Sequence, residues 1–531
     1  MRLKFIFFTA PSDKLGFLAL WRCRSLAEGH QLIGFMMKRS LLVSSLVAIL
    51  ALTLSACAGS KWFSPAAPAM REVDCERLFT EFDRLVAEQG TADAGAVRVP
   101  DFPELRLDRF LASFAEDKPT GKAYAAWFER MRKLDETVRL IEWRNLPPEA
   151  VSSLIASHGP NVGTVLNVCG QILAERDLNS ADRRARLLSA VEPPDAYSTW
   201  RRLFGFYFLS RWAIVGGVWR VQREMREPFI TPVLPHSAAG LSIRYGPAKP
   251  ETLDAAEVAE ILQQSTANPL RIPEPSTEQL ARLFSGFAPV WVIDTENDND
   301  RIGSARIDAN GINFIDTTQA SVYRLPSHTR YGGQVLLQLN YLIWFPARPA
   351  ASRIDIYAGR FDGLIWRVTL GPDGKPLAYD SIHPCGCYYQ IFPGEGVKVV
   401  QPQDGSEPIL SPMPILGLKR GQRLAIHLGS GSHFIHRISV EKSAPESVVY
   451  DSLDYDQLRS LTLPNGRQRS FFDQDGLVTG SERAERFLLW PMGVPSAGAM
   501  RQWGTHAIAF LGKRHFDDPW LLEKLIRPLW K

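Results

Sequence analysis

The chain has 531 residues, with 45% hydrophobic and 22% charged residues, a globular mixture that excludes long disorder and leaves room for two to four domains. Formal net charge is +4, but residues 1–56 hold 7 Lys/Arg against 2 Asp/Glu, so residues 57–531 carry a net −1. Such a balance gives no case for nucleic acid as a partner.

Lys38 and Arg39 open a basic start, and residues 41–54 follow as an apolar run relieved only by Ser44, Ser45 and Thr53. Fourteen residues fall short of a bilayer span and fit the core of a signal peptide. Leu54-Ser55-Ala56-Cys57 comes next. This segment resembles the lipobox of bacterial lipoproteins. The resemblance implies cleavage before Cys57, lipid on its thiol, and attachment to a membrane as the first partner. An ordinary signal peptide, or a buried helix with a chance cysteine, is the competing reading. Ala58, rather than an aspartate, follows the cysteine, which by the same resemblance favours the outer membrane over the inner. Residues 1–35 precede the basic start and read as a misplaced gene start, with translation beginning at Met36 or Met37. Residues 36–56 are then the signal peptide and 57–70 a tether.

The exported part reads as α+β: a helical domain over 71–230, a connector with short helices over 231–287, a mostly antiparallel β-rich domain over 288–445, and a mixed region over 446–531. Leu78, Phe82 and Leu85 share one helical stripe. Trp127, Met131, Leu134, Val138 and Ile141 form another, and Val162, Val165, Leu166, Cys169, Ile172 and Leu173 a third. Residues 203–219 are strongly apolar but hold Arg211 centrally, so a buried helix is expected, with contact at a membrane surface as the alternative. Helices are expected near 253–265 and 276–287. Leu337, Leu339, Tyr341, Ile343 and Phe345 alternate as a strand, as do Leu364, Trp366, Val368 and Leu370. Gly371-Pro372-Asp373-Gly374 turns that strand into a hairpin. Residues 520–529 are expected to close the chain as a helix.

Cys75 and Cys169 lie on apolar helix faces, and the oxidising exported compartment invites a disulfide between them. The densest chemistry is His383-Pro384-Cys385-Gly386-Cys387. Residues two apart on an extended chain point one way, so these three ligands suit zinc or copper. A Cys385–Cys387 disulfide and a plain tight turn remain open beside that reading. His433 and His436, near His427 on a Gly-Ser hairpin, are the candidate further ligands. With residues 429–432 as the loop, Leu428 opposes His433, Ala425 opposes His436, and His427 shares a face with His436. The acidic run 294–300 reads as a solvated turn, since it lacks the glycine and glutamate of an EF-hand loop. The function expected is that of an envelope lipoprotein that binds a partner or envelope component. The alternative is an envelope enzyme working through the His/Cys segment, by metal-dependent hydrolysis or thiol redox chemistry.

Overall fold

The computed structural model describes residues 71–231, 241–441 and 447–529, which belong to one compact unit over 70–531. The lipobox and signal segment lie outside the described residues.

The helical stripes form as the spacing requires. Helix α1 (Glu72–Glu88) buries Leu78, Phe82 and Leu85, α2 (Gly121–Asn145) buries Trp127, Met131, Val138 and Ile141, and α3 (Val162–Leu178) buries Val162, Leu166, Cys169 and Leu173. Cys75 of α1 and Cys169 of α3 are joined by a disulfide. A short hairpin, Val97–Val99 with Phe102–Leu107, packs among these helices.

Ten strands make the main sheet: β1 (Ser242–Pro247), β2 (Val290–Asp294), β3 (Ser321–Tyr331), β4 (Gln334–Arg348), β5 (Gly359–Leu370), β6 (Pro376–Ile382), β7 (Gln390–Pro393), β8 (Arg423–Leu428), β9 (Ile435–Glu441) and β10 (Val448–Asp454). Their spatial order is β7-β6-β5-β4-β3-β10-β1-β2-β8-β9. Only the β3–β10, β10–β1 and β2–β8 pairings are parallel, so the sheet is mixed but mostly antiparallel. The α+β class stands, while the expected partition into successive regions holds only in part. β1 comes from the connector and β10 from the C-terminal region, and both lie in the middle of the sheet. Hydrophobic alternation marks which face a residue takes, not which distant strand it pairs with.

Both faces of the sheet are covered. Leu339, Tyr341, Trp366 and Val368 pack against Val258 and Ile261 of the helix Ala255–Ser265 and Leu283 and Phe284 of the helix Thr277–Phe287. The opposite face, with Leu342, Trp344 and Ile365, packs against Phe471, Met500, Phe516 and Leu522. Gln338 and Asn340, which alternate with Leu337, Leu339 and Tyr341 onto the other face, are therefore also buried. Burying each large apolar side chain contributes roughly 1.5–3 kcal/mol, so two such layers fix the central strands rigidly.

Two elements depart from expectation. The closing helix covers only Leu521–Leu525, because the chain turns extended at Ile526–Pro528 to pair with Val397–Val399. The apolar run at 203–219 is not buried. It falls in the helices Thr199–Phe204 and α4 (Tyr207–Ile230), and of α4 only Val218 and Met225 are buried.

Candidate functional site

β5 carries Asp362 directly opposite Phe345 of β4, and no part of the Asp362 side chain reaches solvent. Gly363 follows it because strand β4 runs so close that a Cβ would collide with the Ile343 carbonyl oxygen. Two histidines converge on this carboxylate. His383, at the end of β6, donates from Nδ1 to Oδ1 at 3.0 Å, and His433 donates from Nδ1 to Oδ2 at 2.9 Å. His433 is held in the left-handed region, φ +54°, by a loop in which His433 N–H donates to the Gly429 carbonyl. Its Nε2 lies 3.3 Å from Asp300 Oδ1.

Asp300 belongs to the acidic run read as a solvated turn, yet it is buried and fully used. Its Oδ2 accepts from the Glu296 and Asn297 N–H groups, and its Oδ1 accepts from Gly431 N–H at 2.7 Å. The acidic loop thus clamps the Gly-Ser loop that presents His433. Arg483 completes the cluster, donating to the Phe361 carbonyl and standing 3.5 Å from Asp362 Oδ1.

Electrostatics separate the two rings. Burial pushes the His433 imidazole down, but Asp300 and Asp362 outweigh it and hold its pKa above the usual value. For His383 burial prevails over Asp362, and its pKa is lowered. Asp362 is held well below the carboxylate range because His383, Arg483 and His433 outweigh the cost of burial. The cluster therefore balances His433, whose charged form the two carboxylates favour, and Arg483 against Asp300 and Asp362, while burial disfavours the charged form of His383. Such a balance is what a buried charge network needs.

The His-Pro-Cys-Gly-Cys segment is a tight turn. His383 N–H donates to the Cys387 carbonyl and Gly386 N–H to the His383 carbonyl. Gly386 takes φ +87°, and a Cβ there would collide with the Ala507 carbonyl oxygen. Cys385 and Cys387 are free thiols, not the disulfide weighed from the sequence. The thiols hydrogen-bond to each other, which, with burial, raises the pKa of Cys387 well above that of an ordinary thiol. Tyr388 closes the turn, its ring against His383 and Phe434 and its hydroxyl accepting from Arg348 at 3.2 Å. Beside it, burial raises the Glu485 carboxyl to about 7.

Of the five residues expected to share a metal, His383 and His433 meet at Asp362, but His436 does not join them. The hairpin loop runs over residues 429–434, so Leu428 opposes Ile435, Ala425 opposes Ser439, and His436 is the extra residue of a β-bulge. The His436 ring packs over Gly429, and His427 bonds Ser439 instead. Among the described residues no group of three or more His, Cys, Asp or Glu side chains could hold a metal ion, so zinc or copper finds no ligand set there. The signal missed in the sequence was Asp362, within the segment Gly359-Arg360-Phe361-Asp362-Gly363, which carries no histidine partner nearby in the chain.

A second feature is open to ligands. A cleft of about 890 Å³ lies between the helix Ala255–Ser265 and the start of β4. Leu262, Leu270, Val335, Leu337 and Leu370 contribute to its apolar wall, and Arg271, Gln263, Gln334, Glu260 and Asp117 to its polar lining. Arg330 also lines it, between the rings of Phe114 and Trp520, with Nη1 on Asp117 and with Nε and Nη2 lacking hydrogen-bond partners. Its volume and apolar walls match those of sites for small amphiphilic molecules. No family model matches this chain, and neither a curated protein nor a solved structure is similar to it.

Proposed function

We propose that the chain is a bacterial cell-envelope lipoprotein, held by lipid at Cys57 on a membrane, the outer rather than the inner, and that its exported body binds an envelope component. The cleft beside Arg330 carries the binding reading. Apolar walls with a buried, partly unpartnered guanidinium fit a ligand with a hydrocarbon body and one anionic group. The His433–Asp362–His383 cluster supports this reading rather than catalysis, because all three side chains are at most 2% exposed and both Nδ1 atoms are bonded to Asp362. Its role is to lock the strand ends and loops of the sheet.

Thiol redox chemistry is the second reading, favoured by one observation: two free, hydrogen-bonded thiols two residues apart.

Radiolabelled palmitate tests the anchor. Label is expected on the wild-type chain and absent from Cys57→Ser; label persisting on the variant sinks the lipoprotein reading. Binding is tested with a dansylated fatty acid on the exported chain. Val335→Trp, which fills the cleft, is expected to abolish the fluorescence gain. A gain that survives Val335→Trp, or none with either chain, overturns the cleft as the site.

A further inference from the structure

The largest unexplained surface is the one formed by residues 199–219. Leu203, Phe204, Phe206, Phe208, Leu209 and Trp212 are each 61–71% exposed. An isolated exposed leucine needs no explanation, but a contiguous aromatic patch does. The patch extends beyond one helix. Arg202 donates to the Met492 carbonyl and Ser198 N–H to the Gly493 carbonyl, which seats residues 198–205 along residues 490–493. Just before that segment Phe487 and Leu488 are 68% and 57% exposed.

The backbone adds an independent observation. Phe206 takes φ +46°, the left-handed region that side chains other than glycine enter at a cost. Its backbone links the two helices, its N–H donating to the Leu203 carbonyl and its carbonyl accepting from the Leu209 and Ser210 N–H groups, while its ring points out with 62% exposure. Charge follows the same face. Residues 199–223 contain Arg201, Arg202, Arg211, Arg220 and Arg223 and no Asp or Glu. Arg202 and Arg211 are tied to backbone carbonyls, whereas Arg220 and Arg223 are exposed.

We propose that this face is a membrane-surface binding site, in which the aromatic and leucine side chains enter the headgroup region of a bilayer and the arginines meet anionic phospholipid. Trp, Phe and Leu flanked by arginine is the composition of helices that lie in a membrane interface. Crossing is not required: no helix among the described residues is long and apolar enough to span a membrane. A protein partner would also accept aromatics and arginine, so the choice of a bilayer rests in part on the lipid-anchor reading. Fully extended, the 14 residues from 57 to 70 would reach roughly 45 Å from the anchor.

The test removes the anchor. The exported chain, residues 57–531 with Cys57→Ser, is mixed with vesicles of phosphatidylethanolamine and phosphatidylglycerol, or of phosphatidylcholine alone. Co-sedimentation and a blue shift of tryptophan emission are expected with the anionic vesicles, weakened by salt. The triple variant Phe208→Ser/Leu209→Ser/Trp212→Ser is expected to bind about tenfold more weakly or worse, with an unchanged unfolding temperature because all three side chains are exposed. Arg220→Glu/Arg223→Glu should lose the preference for anionic vesicles. Absence of vesicle binding, or equal binding by parent and triple variant, overturns the proposal. So does a parent that dimerises through this face, seen by sedimentation equilibrium as a dimer the triple variant lacks, with vesicle binding unaffected. Because the chain tested carries no lipid, the palmitate result at Cys57 stands or falls separately.

Discussion

His433 lies flat on Phe345, ring centroids 3.9 Å apart and planes within 5°, while Asp362, the residue opposite Phe345 on the next strand, binds its Nδ1. The aromatic face and the carboxylate together favour the charged form of one imidazole inside the protein.

Asp362→Asn keeps the shape but removes the buried carboxylate beside Arg483 and leaves His433 with Asp300 alone. A loss of about 3–5 kcal/mol is expected, as for other buried pairs stripped of one partner. Guanidinium unfolding measures it, and a loss below about 1 kcal/mol would show the cluster to be unimportant to the fold.

Acid should destabilise the protein through His506, which is buried and held neutral down to about 3 against an ordinary 6.5. Between those values the unfolded chain binds a proton that the folded chain does not, so stability falls as pH falls. The loss approaches about 3–5 kcal/mol at the acid end. His433 acts oppositely: its raised pKa contributes stability present below 6.5 and lost as pH rises through its folded value. Urea unfolding at pH 7 and pH 5 should show a shallower decline for His506→Phe than for the parent. An unchanged slope counts against this assignment.

Opening the Cys75–Cys169 bond releases a loop with a sequence separation of 94 residues. On the chain-entropy model its loss costs about 4–5 kcal/mol. Cys75→Ala/Cys169→Ala should lower the unfolding midpoint accordingly, and a variant as stable as the parent would show that the bond does not constrain the unfolded chain.

Thiol titration of the exported chain with Cys57→Ser should find two thiols after unfolding, from Cys385 and Cys387. Before unfolding, reaction is expected to be slow, since Cys385 is 1% exposed and the half-buried Cys387 has its thiol pKa raised well above the ordinary value. Finding none after unfolding would mean that the turn closes as a disulfide.

Periodic spacing made much of this fold legible. Leu78 with Phe82, Trp127 with Met131, and the β5–β6 hairpin all follow local rules that need no knowledge of distant partners. The helices at 255–265 and 277–287 were legible too, and in the structure a Ser276/Gln279 capping box opens the second. Pairing between remote segments was not legible. A hairpin loop two residues longer than expected moved His436 onto a bulge and away from His383. The segment Gly359-Arg360-Phe361-Asp362-Gly363-Leu364-Ile365-Trp366 looks specific in the sequence, but a lone aspartate among apolar strand residues does not announce its two histidine partners. The run at 203–219 failed differently: hydrophobicity says that a segment leaves water, not whether protein or lipid receives it.

β10 has a consequence for the order in which the protein is made. Its residues, 448–454, are the sole link between β3 on one side and β1 on the other among the described strands. Until they arrive, a five-stranded piece ending at β3 and a four-stranded piece ending at β1 each present an unpaired edge to other chains. A chain made from its N-terminus delivers those residues late, so its sheet stays divided until then and is most exposed to mispairing just before it closes.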